Sequence, residues 1–208
     1  MGLFTQVLGV GDLDKLLPAY LERTYGQLKP VDPTEHLALP EIQHTAAGRR
    51  DLIRGWLGDN AKLHWLFPEP VLEDQHDETY DLLKDYLDWA LYRELRLKHG
   101  LSYGPRSERE LLGGVGFLSL NADLERENLP KAEQVLQDLR TQLLDKGLDP
   151  AVFARLQQAA IARQAWAVQG NSGLADYYWS AAGDYDNGHF GDPAKRIKAV
   201  SLAQANQA

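Results

Sequence analysis

The spacing of apolar residues predicts a long amphipathic helix in the middle of the chain. Between Asp77 and His99, leucine and tyrosine side chains recur every three or four residues, as one face of an α-helix requires. Gly100 follows at the position where a residue in the left-handed conformation commonly ends a helix. A pair of short apolar runs without helical period lies on each side of this helix, and we interpret these runs as strands.

The predicted strands number five, including one near the start of the chain. Gly58-Asp59-Asn60 separates two of them and has the composition of a tight hairpin turn. Pro68 and Pro70 then end the strand pattern. The predicted strands cover about residues 3–10, 50–57, 61–67, 101–109 and 113–122.

Further helices are predicted by apolar spacing and by capping signals. Asp149-Pro150 places a capping carboxylate directly before a proline at the first helical position, and Asp192-Pro193 repeats this signal. Asn171–Gly173 is interpreted as a break between two helices. The further helices are expected at about residues 13–25, 130–146, 150–168 and 174–182, with a short last helix from 193.

The order of these elements favours one fold class. Strands, a helix, more strands and then several helices lack regular β-α-β alternation, so the prediction is an α+β fold with a mostly antiparallel sheet backed by helices. Residues 30–40 contain three prolines among polar side chains and show no period, which is typical of a linker. A domain boundary is therefore expected there.

Composition excludes several kinds of function. The chain has 208 residues and no cysteine, which rules out disulfides, a thiolate nucleophile and cysteine-ligated metals. Its 30 acidic residues exceed its 22 Lys and Arg, so nucleic acid is not an expected partner. No apolar run approaches the roughly 20 residues that cross a bilayer, so no membrane span is expected.

Other patterns match functional motifs only in part. Gly9-Val10-Gly11 resembles a dinucleotide-binding turn, but Asp14 occupies the third glycine position, and the loop 184–192 lacks EF-hand spacing. Ser172 is not in a nucleophile elbow, because Gly173 follows it directly. The six histidines form neither H-E-x-x-H nor H-x-x-E-H: His36, His44, His64, His76, His99 and His189. The residues alone therefore give no complete catalytic set.

The end of the long helix carries a family resemblance. Residues 92–103 read YRELRLKHGLSY, which resembles the R-E-L-R-x-x-x-G-L-x-Y segment of pitrilysin/insulinase-type zinc metallopeptidases, also called inverzincins or mitochondrial-processing-peptidase-like proteins. Further segments resemble the family in the same order: VLGVGDLD at 7–14, YGQLKP at 25–30, the run 113–121 and KGLDP at 146–150. Nearly the whole chain is covered.

The resemblance implies a domain organisation and a set of partners. Residues 1–29 would be the closing strand and helix of a preceding domain, 30–40 a linker, and 41–208 the metal-free C-terminal domain, with a processing-peptidase-like α/β roll. The zinc motif H-x-x-E-H would lie in a partner domain or subunit, so no cofactor is expected in this chain. Such a chain would be inactive by itself, would act on unfolded peptides, and would work in the periplasm, where bacterial relatives are often found.

Two residues are assigned to substrate binding by the same resemblance. Active members carry an Arg and a Tyr, with six residues between them, that face the chamber from a domain without metal, and Arg96 and Tyr103 have this spacing. Guanidinium and phenol donors suit a substrate carbonyl or the oxyanion of a tetrahedral intermediate. A structural interpretation stays open, since Arg96 also complements the helix dipole and Tyr103 fits a half-buried strand position.

Two further hypotheses about function stay open at this point. The chain fits a catalytically inactive structural or peptide-binding subunit of the same family, or an unrelated α+β binding domain if the resemblance is accidental. An H-x-x-E-H motif upstream of the chain, or in a neighbouring reading frame, favours the peptidase, and the absence of such a motif favours the subunit.

Overall fold

The computed structural model describes residues 16–27, 48, 58–69, 78–112, 115–184 and 192–208. The strands and helices of these residues are β1 Asn60–Pro68, β2 Arg106–Leu112, β3 Val115–Glu125, α1 Leu16–Tyr25, α2 Glu78–Leu91, α3 Leu129–Lys146, α4 Pro150–Ala167, α5 Asn171–Asp184, α6 Pro193–Ala199 and α7 Leu202–Ala205. A π-helical segment, Tyr92–Lys98, continues α2, and a short 3-10 turn, Arg126–Asn128, precedes α3.

The three described strands form an antiparallel sheet in the order β1-β3-β2. β3 is central and pairs with both other strands. Asn60 of β1 lies opposite Glu125 of β3, and Arg106 of β2 lies opposite Asn121 of β3. This sheet, with helices packed on it, confirms the predicted α+β class. The strands predicted at 3–10 and 50–57 lie outside the described residues.

One face of the sheet, one face of the long helix and buried residues of α3, α4, α6 and α7 form the core. The leucine and alanine side chains at alternate positions of β3 are buried on the same face, because side chains of a strand point to opposite faces in turn. Leu91 and Leu95, which lie at predicted positions of the apolar face, are at most 1% exposed, and so is Leu82. The buried residues of β3 and of the long helix include Leu118, Leu120, Ala122, Leu124, Leu82, Leu91 and Leu95.

Helix α2 also binds the outer side of β2. The Ser107 amide donates to Asp88 Oδ1 at 3.0 Å, and the Ser107 hydroxyl donates to the Lys84 carbonyl at 2.6 Å. Ser107 is 2% exposed. The free backbone groups at the edge of a sheet can pair with a strand of another chain. At this edge the Ser107 amide is bonded to the Asp88 side chain of α2 instead.

The strand predicted at 101–109 begins later than expected, at Arg106. The amides of Leu101 and Ser102 donate instead to the Leu95 carbonyl, at 2.7 and 3.3 Å, so they complete the end of the helix. Pro105, which has no amide hydrogen, then precedes the strand. Within 101–105, Ser102 makes one isolated bridge to Leu124.

The capping signal at Asp149 is confirmed. Its Oδ1 accepts from the Ala151 amide at 2.8 Å and from the Val152 amide at 3.0 Å, which satisfies two free donors of α4. The predicted break at 171–173 was wrong in position. Helix α5 begins at Asn171, and the Gly170 carbonyl accepts the Leu174 amide of its first turn at 2.9 Å. The break between α4 and α5 therefore lies before Asn171.

A buried ion pair links the chain after β1 to β2. The Arg109 guanidinium donates to both carboxylate oxygens of Glu69 at 2.8 Å, and also to Asp81 Oδ1 at 2.8 Å. The Glu69 side chain is 5% exposed. Burial opposes the charge of Arg109, but the hydrogen bonds from Glu69 and Asp81 outweigh burial and raise the pKa of Arg109.

The chain divides into two compact units. Met1–Leu39 groups with Ala162–Asp192, and Pro40–Ile161 groups with Pro193–Ala208. This division differs from the predicted domains, which place 162–192 with the rest of 41–208. The domain assignment stays a prediction, because its linker at 30–40 lies outside the described residues. No helix in the described ranges is long and apolar enough to span a bilayer.

Candidate functional site

The end of the long helix fixes the backbone of Arg96. Leu95 is fully buried, and its carbonyl accepts the amides of Leu101 and Ser102. Gly100 has a φ of +60°, and its amide donates to the Arg96 carbonyl at 3.1 Å, so the predicted left-handed end at Gly100 is confirmed. A side chain at position 100 would strain this turn, which explains the glycine.

Ser102 anchors the following loop to the sheet. It is 5% exposed, and its hydroxyl donates to the Asp123 carbonyl of β3 at 2.7 Å. Tyr103 comes directly after this anchor, but its side chain is 83% exposed. The backbone of Tyr103 is therefore held in place while its phenol ring is left accessible.

The structure brings Arg96 and Tyr103 together. Arg96 Nη1 donates to the Tyr103 carbonyl at 2.8 Å, and the guanidinium carbon lies 4.2 Å from the centre of the Tyr103 ring. The same carbon lies 5.0 Å from the centre of the Tyr92 ring. Both aromatic rings are within the distance of a cation–π contact. Tyr103 lies in the loop before β2, so the alternative of a half-buried strand residue was wrong.

Arg96 and Tyr103 line an open groove of about 740 Å³, which we call the Arg96 groove. Its other walls come from the start of β1 and the end of β3. Charges of both signs are present, since Lys62 Nζ and Asp123 Oδ1 form an exposed pair at 3.4 Å. The groove is lined by Asn60, Ala61, Lys62, Arg96, Gly100, Leu101, Ser102, Tyr103, Asp123, Leu124, Glu125 and Asn128.

Arg96 and Tyr103 give the groove hydrogen-bond donors. A guanidinium carries five N–H groups, and the hydrogen bond described for Arg96 uses one of them. The remaining N–H groups and the Tyr103 hydroxyl are suited to a carbonyl oxygen or an oxyanion. The chemistry of the groove therefore suits an oxygen acceptor.

The other residues considered lie elsewhere. Arg93 pairs with its neighbour Glu94 at 3.7 Å and contacts the Trp89 ring. His64 and His99 are exposed. The other four histidines, the glycine turn at 9–11 and most of the loop 184–192 lie outside the described residues. Within the described ranges, no three His, Asp or Glu side chains come together as metal ligands.

A comparison with protein families gives an assignment. Residues 3–160 match the family described as the peptidase M16 inactive domain. The chain belongs to the peptidase M16 family. This confirms the resemblance to pitrilysin/insulinase-type metallopeptidases and identifies a non-catalytic part of that family. Among curated protein sequences, none matches the chain.

Three solved structures have the same fold. A protease from Helicobacter pylori has a TM-score of 0.72 at 16% identity, covering 95% of this chain and 50% of that one. The periplasmic protease PqqL from Escherichia coli has a TM-score of 0.70 at 12% identity, covering 95% and 22%. The peptidase M16 inactive domain from Pseudomonas fluorescens has a TM-score of 0.59 at 16% identity, covering 72% and 37%. The chain thus spans half or less of each structure.

Two residues that contact the Arg96–Tyr103 cluster or its loop were not identified from the sequence. Tyr92 lies four residues before Arg96, a spacing that places the two side chains on the same side of a helix, and this signal was present in the sequence. Ser102 had no such signal. Its role depends on Asp123, which is 21 residues away along the chain.

Proposed function

We propose that this chain is the non-metal domain of a zinc metalloendopeptidase and supplies substrate-binding and transition-state donors to peptide hydrolysis. The observation that carries the proposal is the cluster of Arg96 and Tyr103 at one open groove, at the spacing on which the family resemblance rests. By itself, the chain would bind peptide without cleaving it.

The geometry suits an extended peptide whose carbonyl lies against Arg96. A guanidinium gives charge-assisted hydrogen bonds, which are stronger than those between neutral groups. The Tyr103 hydroxyl is a second donor, and the 83% exposure of this residue leaves it open to a substrate. Both donors would bind an oxyanion more tightly than a neutral carbonyl, and this difference accelerates the reaction.

The metal chemistry belongs to the proposed partner. A domain or subunit with H-x-x-E-H would hold the zinc, and zinc activates water for attack on the peptide carbonyl. The described residues of this chain have no cluster of metal ligands that fits zinc. The site would therefore be assembled from two halves, with the groove donors on one of them.

Reconstitution tests the proposal. The chain is mixed with a zinc-bearing half that contains H-x-x-E-H, and cleavage of an unfolded fluorogenic peptide is followed. We expect cleavage by the mixture and none by the chain alone, whose zinc content by elemental analysis should be near zero. Zinc-dependent cleavage by the chain alone would contradict the proposal. An inactive mixture whose chain still binds peptide would favour the peptide-binding subunit.

We also propose a periplasmic location. The support is that the chain has the fold of PqqL, which is described as a periplasmic protease. Release of the full-length protein by osmotic shock of the native cells is expected. Retention with a cytoplasmic marker enzyme would argue against this location.

A further inference from the structure

We infer that Tyr92 is a positioning residue, which holds the guanidinium of Arg96 in the orientation needed at the Arg96 groove. This inference rests on the proposed function for the role of Arg96, and on the observed contacts for the role of Tyr92. The Tyr92 ring lies 5.0 Å from the guanidinium carbon, on a helical turn that is fixed by the buried Leu95.

Three contacts together determine where the guanidinium lies. The hydrogen bond to the Tyr103 carbonyl fixes one nitrogen, and the rings of Tyr103 and Tyr92 lie 4.2 and 5.0 Å from the central carbon. Of the two rings, only that of Tyr92 is on the same helical segment as Arg96. The Tyr92 residue is 40% exposed and Tyr103 is 83% exposed, so Tyr103 is the more open of the two to a substrate.

An arginine side chain that is free to change rotamer binds a substrate oxygen less tightly than one that is already ordered. It has many rotamers, and ordering them on substrate binding opposes the gain from each hydrogen bond. A cation–π contact at a partly exposed site corresponds to about a three- to tenfold change in an equilibrium. Loss of the Tyr92 ring should therefore cost about that factor in turnover, mainly in kcat.

The first test uses the chain alone, whose 23.3 kDa is accessible to NMR. The Arg96 Nε–Hε signal is assigned by its loss in Arg96→Lys. We expect this group to be ordered in the wild type and in Tyr92→Phe, which keeps the ring, and mobile in Tyr92→Leu. Leu97→Ala, an exposed change in the same segment, serves as the control. Unchanged order in Tyr92→Leu would overturn the inference.

The second test uses the reconstituted protease. Tyr92→Leu should lower kcat about three- to tenfold, Tyr92→Phe should restore it, and Tyr92→Leu should have no further effect once Arg96 is alanine. A Tyr92→Leu effect that persists fully in the Arg96→Ala background would contradict positioning. If Arg96→Ala alone has no effect, the proposed function fails, while the NMR result still decides the role of Tyr92.

Discussion

Replacing Arg96 by alanine should lower kcat/KM of the reconstituted protease by about 10²- to 10³-fold, which is the usual cost of removing one oxyanion donor. The structure gives the reason, since Arg96 is the charged donor of a cluster that also contains the exposed Tyr103. Measurement of kcat and KM on an unfolded peptide checks this prediction. A role in transition-state stabilisation requires that the loss falls chiefly on kcat.

Two variants control for indirect effects of that change. Arg93→Ala removes a neighbouring arginine that pairs with Glu94 and contacts Trp89 at 5.2 Å, outside the groove, and should leave kcat unchanged. Arg96→Lys keeps the charge but loses the planar donor fork, so an intermediate rate is expected. Equal losses in Arg93→Ala and Arg96→Ala would show a general effect of charge and would contradict a specific donor role.

The Tyr103 hydroxyl can be separated from its ring. Tyr103→Phe keeps the ring that lies 4.2 Å from the Arg96 guanidinium carbon and removes only the second donor. The rate should therefore fall by less than in Arg96→Ala, because a neutral donor forms a weaker bond than a charged one. Unchanged rates in both Tyr103→Phe and Arg96→Ala would rule out a donor role for the groove.

The helix and its end could be predicted from the sequence because both depend on local spacing. Apolar residues at helical intervals located the long helix, and Gly100 located its end. The last turns of the helix, Tyr92–Lys98, are π-helical, and no pattern in the sequence predicted this. An alternating pattern assigns Leu101 and Ser102 to a strand, but their amides donate to the Leu95 carbonyl. The start of β2 was therefore predicted too early.

Of the candidate site, only Arg96 and Tyr103 could be predicted from the sequence. The spacing of Arg96 and Tyr103 is visible in the sequence, and the glycine turn between them allows the contact. The groove walls come from β1 and β3, and their register places Asn60 opposite Glu125. Strand register depends on contacts between distant residues, so sequence spacing could not give these walls.

The largest effect on stability is expected at Arg109. Replacing it by methionine should lower the free energy of unfolding by about 3–5 kcal/mol, because it leaves the Glu69 carboxylate buried without its partner. Glu69 and Arg109 are 40 residues apart, and the Glu69 side chain is 5% exposed. The pKa of Arg109 is raised, so its charged form stabilises the fold at neutral pH and throughout the range below the usual arginine pKa.

Urea denaturation of three variants separates this cost from a general loss of packing. Lys62→Met breaks the Lys62–Asp123 pair, whose side chains are 66% and 58% exposed, and should cost at most about 1 kcal/mol. Adding Glu69→Gln to Arg109→Met removes the buried charge at nearly constant shape, so the double variant should be more stable than Arg109→Met alone. If the double variant is instead the less stable of the two, the penalty arises from lost contacts of the Arg109 side chain, and the buried carboxylate is not its source.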